Sequence, residues 1–150
     1  MRTLPPFPQA IIAGGISALL TSVLIWVCTL TGLFAILAIP VAAPPDSGAW
    51  FAWRTLWGAV FGVFFLIPLL VEVRESVRGL LVSIVPIAKL LLWDYPQGPE
   101  GWFGLNLGPL LPITAVVLWL IWGVLAGWLL DLWGFGGVPL AEEEEELPPG

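Results

Sequence analysis

The sequence predicts an all-α polytopic membrane protein, a bundle of four transmembrane helices. Three observations carry this. The 150 residues are 59% hydrophobic and only 11% charged. Their mean hydropathy is +0.98, well outside the range of soluble domains. Four long apolar segments are separated by short stretches rich in proline, glycine or charge. A bilayer crossing takes about 20 apolar residues, so four crossings define one transmembrane domain over residues 1–133, followed by a tail over 134–150.

After a short proline-rich start, an uncharged stretch runs from Gln9 to Pro45. It predicts a first helix over about 10–39. A secretory signal is the competing reading, but its apolar core is about 7–15 residues. In addition, Pro44 follows the only small-residue site, Ala42-Ala43. An uncleaved helix is therefore expected, long enough to require tilt or a protruding turn. Pro40, Pro44, Pro45, Asp46, Ser47 and Gly48 form a turn-rich connection, and Trp50, Trp53 and Trp57 open a second helix over about 51–71. Tryptophans clustered at a segment's start mark an interface.

Glu72, Arg74, Glu75 and Arg78 end that span at a tight hairpin into a third helix, about 77–93, which contains Pro86 and Lys89. Nine strongly apolar residues lie between Leu80 and Leu92. Each contributes about −0.3 to −0.6 kcal/mol to insertion, against about +2.5 to +3.5 for a lysine at mid-membrane. Lys89 is four residues from Trp93, so its amine can snorkel to the interface; a re-entrant hairpin is the alternative to a full span. Pro68 and Pro86 are expected to kink their helices. The segment Asp94 to Gly108 is rich in glycine and proline, with Trp102 and Phe103 dipping into the interface. The fourth helix, about 110–133, carries Trp119 and Trp122 at its middle and Trp128 and Trp133 near its end. The tail from Gly134 is glycine, glutamate and proline, which cannot bury enough apolar area to fold.

Cation placement sets the orientation. Arg2, Arg74 and Arg78 flank one side, whereas Arg54 and Lys89 lie inside helix ends. Both termini are expected on the cytoplasmic side of a prokaryotic inner membrane.

The formal charge is −6, but five of the eleven acids are the run Glu142 to Glu146. Without basic patches there is no case for nucleic acid binding. A single cysteine, Cys28, allows no disulfide framework within the chain. The absence of histidine removes His-ligated metal or haem sites and histidine acid/base catalysis. Ser17, Thr21, Ser22, Thr29 and Thr31 have no base nearby to make a nucleophile. No cofactor, no metal and no enzymatic activity are expected. With no carboxylate in mid-membrane, proton transport by a single chain is disfavoured.

Small residues recur at every fourth position of helix one: Ala10, Gly14, Ala18 and Ser22. In lipid, where no hydrophobic force joins helices, such stripes permit close backbone approach. Helix two offers Gly58 and Gly62, helix four Gly123 and Gly127, each a GxxxG behind a tryptophan, Trp57 and Trp122. A two-fold repeat pairing helices one and two with three and four is one reading; chance coincidence in a Trp- and Gly-rich chain is the other.

The order of features is similar to that of the small YagU-like prokaryotic membrane proteins of unknown function. It comprises a small-residue first helix, a GxxxG second helix and Arg78-Gly-Leu-Leu with Pro86 in the third. Tyr95-Pro96 and Gly101 to Gly108 follow, then a closing GxxxG helix. The resemblance covers about residues 10–133 and implies a compact four-helix fold. A histidine of the family pattern, four residues before the first GxxxG glycine, is replaced here by Arg54 and Trp119.

Arg54 and Lys89 are the charges most embedded in apolar sequence, and an intramembrane ionisable residue is a candidate for a substrate path. Together with Asp94 they form the candidate polar site. They are read first as rim anchors, with a cation lined up with Asp94 or stacked on Trp53 or Trp93, and alternatively as an outer vestibule. Glu72 and Asp131 are read as anchors at the inner ends of helices two and four. The expected function is a non-catalytic structural or accessory subunit, packing through its small-residue faces and lipid-facing tryptophans. Its partners would be the lipid bilayer and a homo-oligomer or larger membrane complex; the alternative is a small oligomeric transporter or channel.

Overall fold

The computed structural model describes residues 5–39, 48–68 and 73–134. The acidic tail, the proline-rich connection 40–47, Arg2 and Glu72 lie outside the described residues. Among the described residues there is helix and no strand. We label the helices α1 (Phe7–Leu30), α2 (Leu33–Ile36), α3 (Gly48–Leu66), α4 (Glu75–Gln97) and α5 (Leu110–Leu132). All but α2 are long and apolar enough to cross a membrane. Their 19 to 24 residues extend about 28–36 Å at ~1.5 Å per residue, against a hydrocarbon core of about 30 Å. The chain runs up, down, up, down.

Several boundaries differ from expectation for identifiable reasons. Helix one stops at Leu30, not 39, because Gly32 takes a left-handed conformation, φ 73°, which glycine adopts without a Cβ penalty. The chain then turns back through α2, placing Phe34 and Ile39 against Ile25 of α1. Helix two ends before Pro68 rather than kinking at it. Its last turn, Val63–Leu66, tightens to 3-10 geometry, and Ile67 is extended, as a residue preceding proline prefers. Helix three starts at Glu75 and continues to Gln97. It is adjusted at Ser83, three residues before Pro86, and passes through a π-helical segment, Leu90–Asp94. It is one continuous run of helix, long and apolar enough to cross a membrane, with no helical hairpin within it.

The small residues let backbones touch. A Cβ on Gly14 would fall on the Gly58 carbonyl and the Gly62 Cα; on Gly58, on Ala18; on Gly62, on the Ala10 carbonyl. The second hairpin repeats this: Gly123 abuts Gly79 and Ser83, and Gly127 abuts Glu75. The interval along the chain from Gly14 to Gly79 is the interval from Gly58 to Gly123, from Gly62 to Gly127 and from Trp57 to Trp122. The two hairpins, α1 with α3 and α4 with α5, are thus packed at corresponding positions.

The hairpins join mainly along α1 and α5. The key side chain there is Trp122, 1% exposed, which donates its indole N–H to the Gly14 carbonyl at 2.9 Å. The expectation of lipid-facing tryptophans is corrected for this residue, and Trp119 is partly buried against the core beside it. Around them gather Phe61, Phe65, Val82, Ala126 and Leu130, with Phe61 5.5 Å from the rings of both Trp57 and Trp119. The expected interface role suits Trp53, Trp93 and Trp102, which are exposed.

Candidate functional site

The charged groups within the spans collect, among the described residues, at the two ends of the bundle. At the end holding the start of α1 and the finish of α5, Arg78 and Glu75 are buried, 2% and 1% exposed. They pair at 3.0 Å. The other terminal nitrogen of Arg78 donates to the carbonyls of Phe65, at 2.5 Å, and Ile67, at 2.6 Å. These carbonyls lie where α3 stops before Pro68, so Arg78 caps a helix end that lacks helical donors. Neither residue is the solvated flank expected of this stretch. Nearby, Asp131 accepts from the Ser76 hydroxyl at 2.5 Å and its backbone N–H at 3.3 Å, and pairs with exposed Arg74 at 3.4 Å.

At the opposite end, the fold brings together the three predicted polar residues. Arg54 lies about 9 Å along α3 from Gly48 at ~1.5 Å per residue. Its Nε donates to the Ser22 hydroxyl oxygen at 3.0 Å, and its guanidinium carbon sits 5.0 Å from the centroid of the Trp50 ring. Ser22 can accept this bond because its own proton goes to the Ala18 carbonyl, 2.6 Å away. Lys89 reaches across from α4, its Nζ 2.7 Å from both Asp94 oxygens and 4.6 Å from the Trp57 centroid. The i,i+5 pairing of Lys89 with Asp94 fits the wider π-helical turn between them. The expected stacking on Trp53 or Trp93 is therefore corrected: the cations stack on Trp50 and Trp57, facing inward.

Where α3 faces α4 these residues line two adjoining cavities of about 190 Å³ and 170 Å³, the larger extending to α1, α2 and α5. Arg54, Leu90 and Trp119 border both. The smaller holds Lys89, Asp94, Thr21 and Trp57. The larger is walled by Ile25, Phe34, Ile39, Leu111 and Leu118, with Tyr95, Glu100 and Thr114 as its other polar side chains. Each has room for several waters at about 10–15 Å³ apiece. Among the described residues no carboxylate forms an ion pair with Arg54, and no cation forms one with Glu100.

Of the predicted packing residues, Ala10, Gly14, Ala18, Gly58, Gly62, Gly123 and Gly127 all lie in helix contacts inside the chain, and Ser22 additionally holds Arg54. The sequence reading missed Glu100, Tyr95 and Thr114 of the cleft. Glu100 carries a visible signal, being a carboxylate isolated in a Gly/Pro-rich connection. Tyr95 and Thr114 carry none, since a single phenol and a helix threonine are ordinary residues. The buried Glu75–Arg78 pair was also missed, although its i,i+3 spacing at a helix start is a pairing signal. No family model, curated protein or solved structure matches the chain, and its cleft is interpreted from geometry alone.

Proposed function

We propose that this chain is a non-catalytic multi-pass membrane protein that receives a small ligand in the α3–α4 cleft, as the vestibule of a transporter or channel does. One observation carries the reading: Arg54 stands inside a membrane span with no carboxylate paired to it among the described residues, and it borders both cavities. An unneutralised cation at that depth is costly to keep away from water; a hydrated, ligand-accepting cleft offsets the cost. The Lys89–Asp94 pair supplies a neutral polar wall beside it.

On the same reading both termini are cytoplasmic in a prokaryotic cell and the cleft faces outward, because Arg74 and Arg78 lie at the end of the bundle opposite the cleft and cations favour the cytoplasmic side. Reporter fusions at Asp46 and at the C-terminus test it, and a periplasmic C-terminus refutes it. For the cleft itself, Thr114→Cys in a Cys28→Ala background should react with a charged, membrane-impermeant maleimide in proteoliposomes. A thiol as unreactive as in the unfolded-protected core, for example Ala126→Cys, refutes an open cleft.

A second reading is an accessory subunit that packs against a second copy or a larger complex. It is favoured by a shallow apolar groove on the outer face of α5, lined by Val117, Leu120, Ile121, Val124 and Leu125. The glycine faces are already occupied within the chain, so this groove would have to serve. Mass spectrometry of the intact assembly from mild detergent tests it, and a monomer without partners excludes it.

A further inference from the structure

Resting on the cleft reading above, we infer that its ligand is a zwitterion with an apolar body, an oxyanion seated on Arg54 and an ammonium group toward Glu100. Both charges border the same cavity of about 190 Å³. Neither is neutralised by an ion pair among the described residues. The third and fourth charges nearby, Lys89 and Asp94, neutralise each other at 2.7 Å. Among the described residues the cleft therefore offers one positive and one negative group without an ion-pair partner, and its ligand must answer both.

A simple anion meets Glu100 as a repulsive neighbour, and a simple cation meets Arg54; in a site of low dielectric a like charge weighs heavily. A zwitterion satisfies both. The guanidinium presents a planar fork of donors suited to phosphate or carboxylate; its Nε is already held by Ser22 and its face by Trp50, which leaves its terminal nitrogens for the ligand. The remaining wall is apolar, Ile25, Phe34, Leu111 and Leu118, and accepts a hydrocarbon tail or side chain. Phe34 is present only because the chain turns back at Gly32. A lipid bearing an ethanolamine phosphate head and a free apolar amino acid share this chemistry.

The test uses the full chain with Cys28→Ala and Thr114→Cys in dodecyl maltoside, following maleimide labelling with four added probes. These are lysophosphatidylethanolamine, leucine, dodecyl phosphate and dodecyltrimethylammonium. The zwitterion should slow labelling at concentrations roughly tenfold below those needed for either singly charged amphiphile, the equivalent of about 1.4 kcal/mol. Leucine matching lysophosphatidylethanolamine assigns a free amino acid as the source; protection by the lysolipid alone assigns a lipid head. Adding Glu100→Gln should invert the selectivity toward dodecyl phosphate, and adding Arg54→Gln should abolish protection by the zwitterion. Glu100 lies in a connection outside the packed spans, so its variant tests the proposal even where Arg54→Gln fails to fold. Labelling that no probe slows, or that dodecyl phosphate slows as well as the zwitterion, overturns the inference while leaving an open cleft. A thiol that never labels overturns the cleft reading itself.

Discussion

Removing the Arg78 guanidinium should destabilise the bundle more than any other single charge deletion, and a second deletion should restore part of the loss. Arg78→Gln takes from Glu75, 1% exposed, the cation paired with it at 3.0 Å, and breaking a buried pair from one side costs about 3–5 kcal/mol. It also strips the donors from the Phe65 and Ile67 carbonyls. Glu75→Gln is milder, because Arg78 keeps both carbonyls; about 1.5–3 kcal/mol is the scale for losing one hydrogen bond to a charged group. The double variant removes both charges of the pair and loses chiefly the carbonyl bonds, so it should be more stable than Arg78→Gln alone. Arg74→Gln is the control: its side chain is 70% exposed, and the change should stay within about 0.5 kcal/mol. Unfolding in dodecyl maltoside micelles titrated with SDS, followed by helical circular dichroism, gives the four values. The reasoning fails if Arg78→Gln costs no more than Arg74→Gln, or if the double variant is no better than the single.

Other consequences of the packing are as direct. Gly123→Ala and Gly79→Ala each drive a methyl into a facing backbone carbonyl and should lower the SDS midpoint strongly, whereas Gly15→Ala meets nothing closer than 3.6 Å and should be neutral or stabilising by up to about 1 kcal/mol. Trp122→Phe keeps the ring contacts but loses the bond to Gly14, a loss of about 1 kcal/mol that a fluorescence-monitored melt can resolve. Gly32→Ala has open space around it, so its expected cost of about 1–2 kcal/mol is that of a left-handed alanine, and a loss near zero shows that the α1–α2 turn does not need φ 73°.

How far the sequence led can be read from particular elements. Hydropathy placed the four spans because each is a predominantly apolar run of bilayer length, even where Arg54 or Lys89 interrupts it. It overran at residue 39 because nothing in apolarity distinguishes α1 from α2; the signal was conformational, a lone Gly32 after threonine. Small-residue spacing found the faces of Gly14, Gly58, Gly62, Gly123 and Gly127, since close approach needs those residues whatever the topology. Gly79 escaped because its partner at four residues is Ser83 rather than a second glycine, although small-xxx-small pairs serve the same close approach, and the shared interval with Gly14 also points to it. For the cleft, Arg54, Lys89 and Asp94 stood out as charges in apolar surroundings. Which way each side chain turned was not legible: it depends on α3 and α4 facing each other, and on whether Trp50 or Trp53 presents its ring.

The correspondence between the hairpins explains why the cleft lies where it does. An exchange that carries α1 onto α4 and α3 onto α5 maps the α1–α5 contact onto a contact between α4 and α3. The first of these is closed by Trp122 bonding to Gly14. In the second the equivalent tryptophan, Trp57, does not bond to Gly79, whose carbonyl accepts the Ser83 hydroxyl at 2.8 Å instead; Trp57 turns to Lys89. The position equivalent to Trp119, which packs on Phe61 and Trp122, is Arg54. Thus α3 meets α4 near Val63–Leu66, where Arg78 ties them, and parts from it toward Arg54 and Lys89. Two substitutions against the repeat, an arginine for a tryptophan and a lysine at the position matching Leu24, turn a seam that would be sealed by aromatic packing into a charged opening. A bundle built only to pack would gain by keeping that seam closed. The departure of these positions from the correspondence between the two hairpins supports the proposal that the cleft receives a ligand.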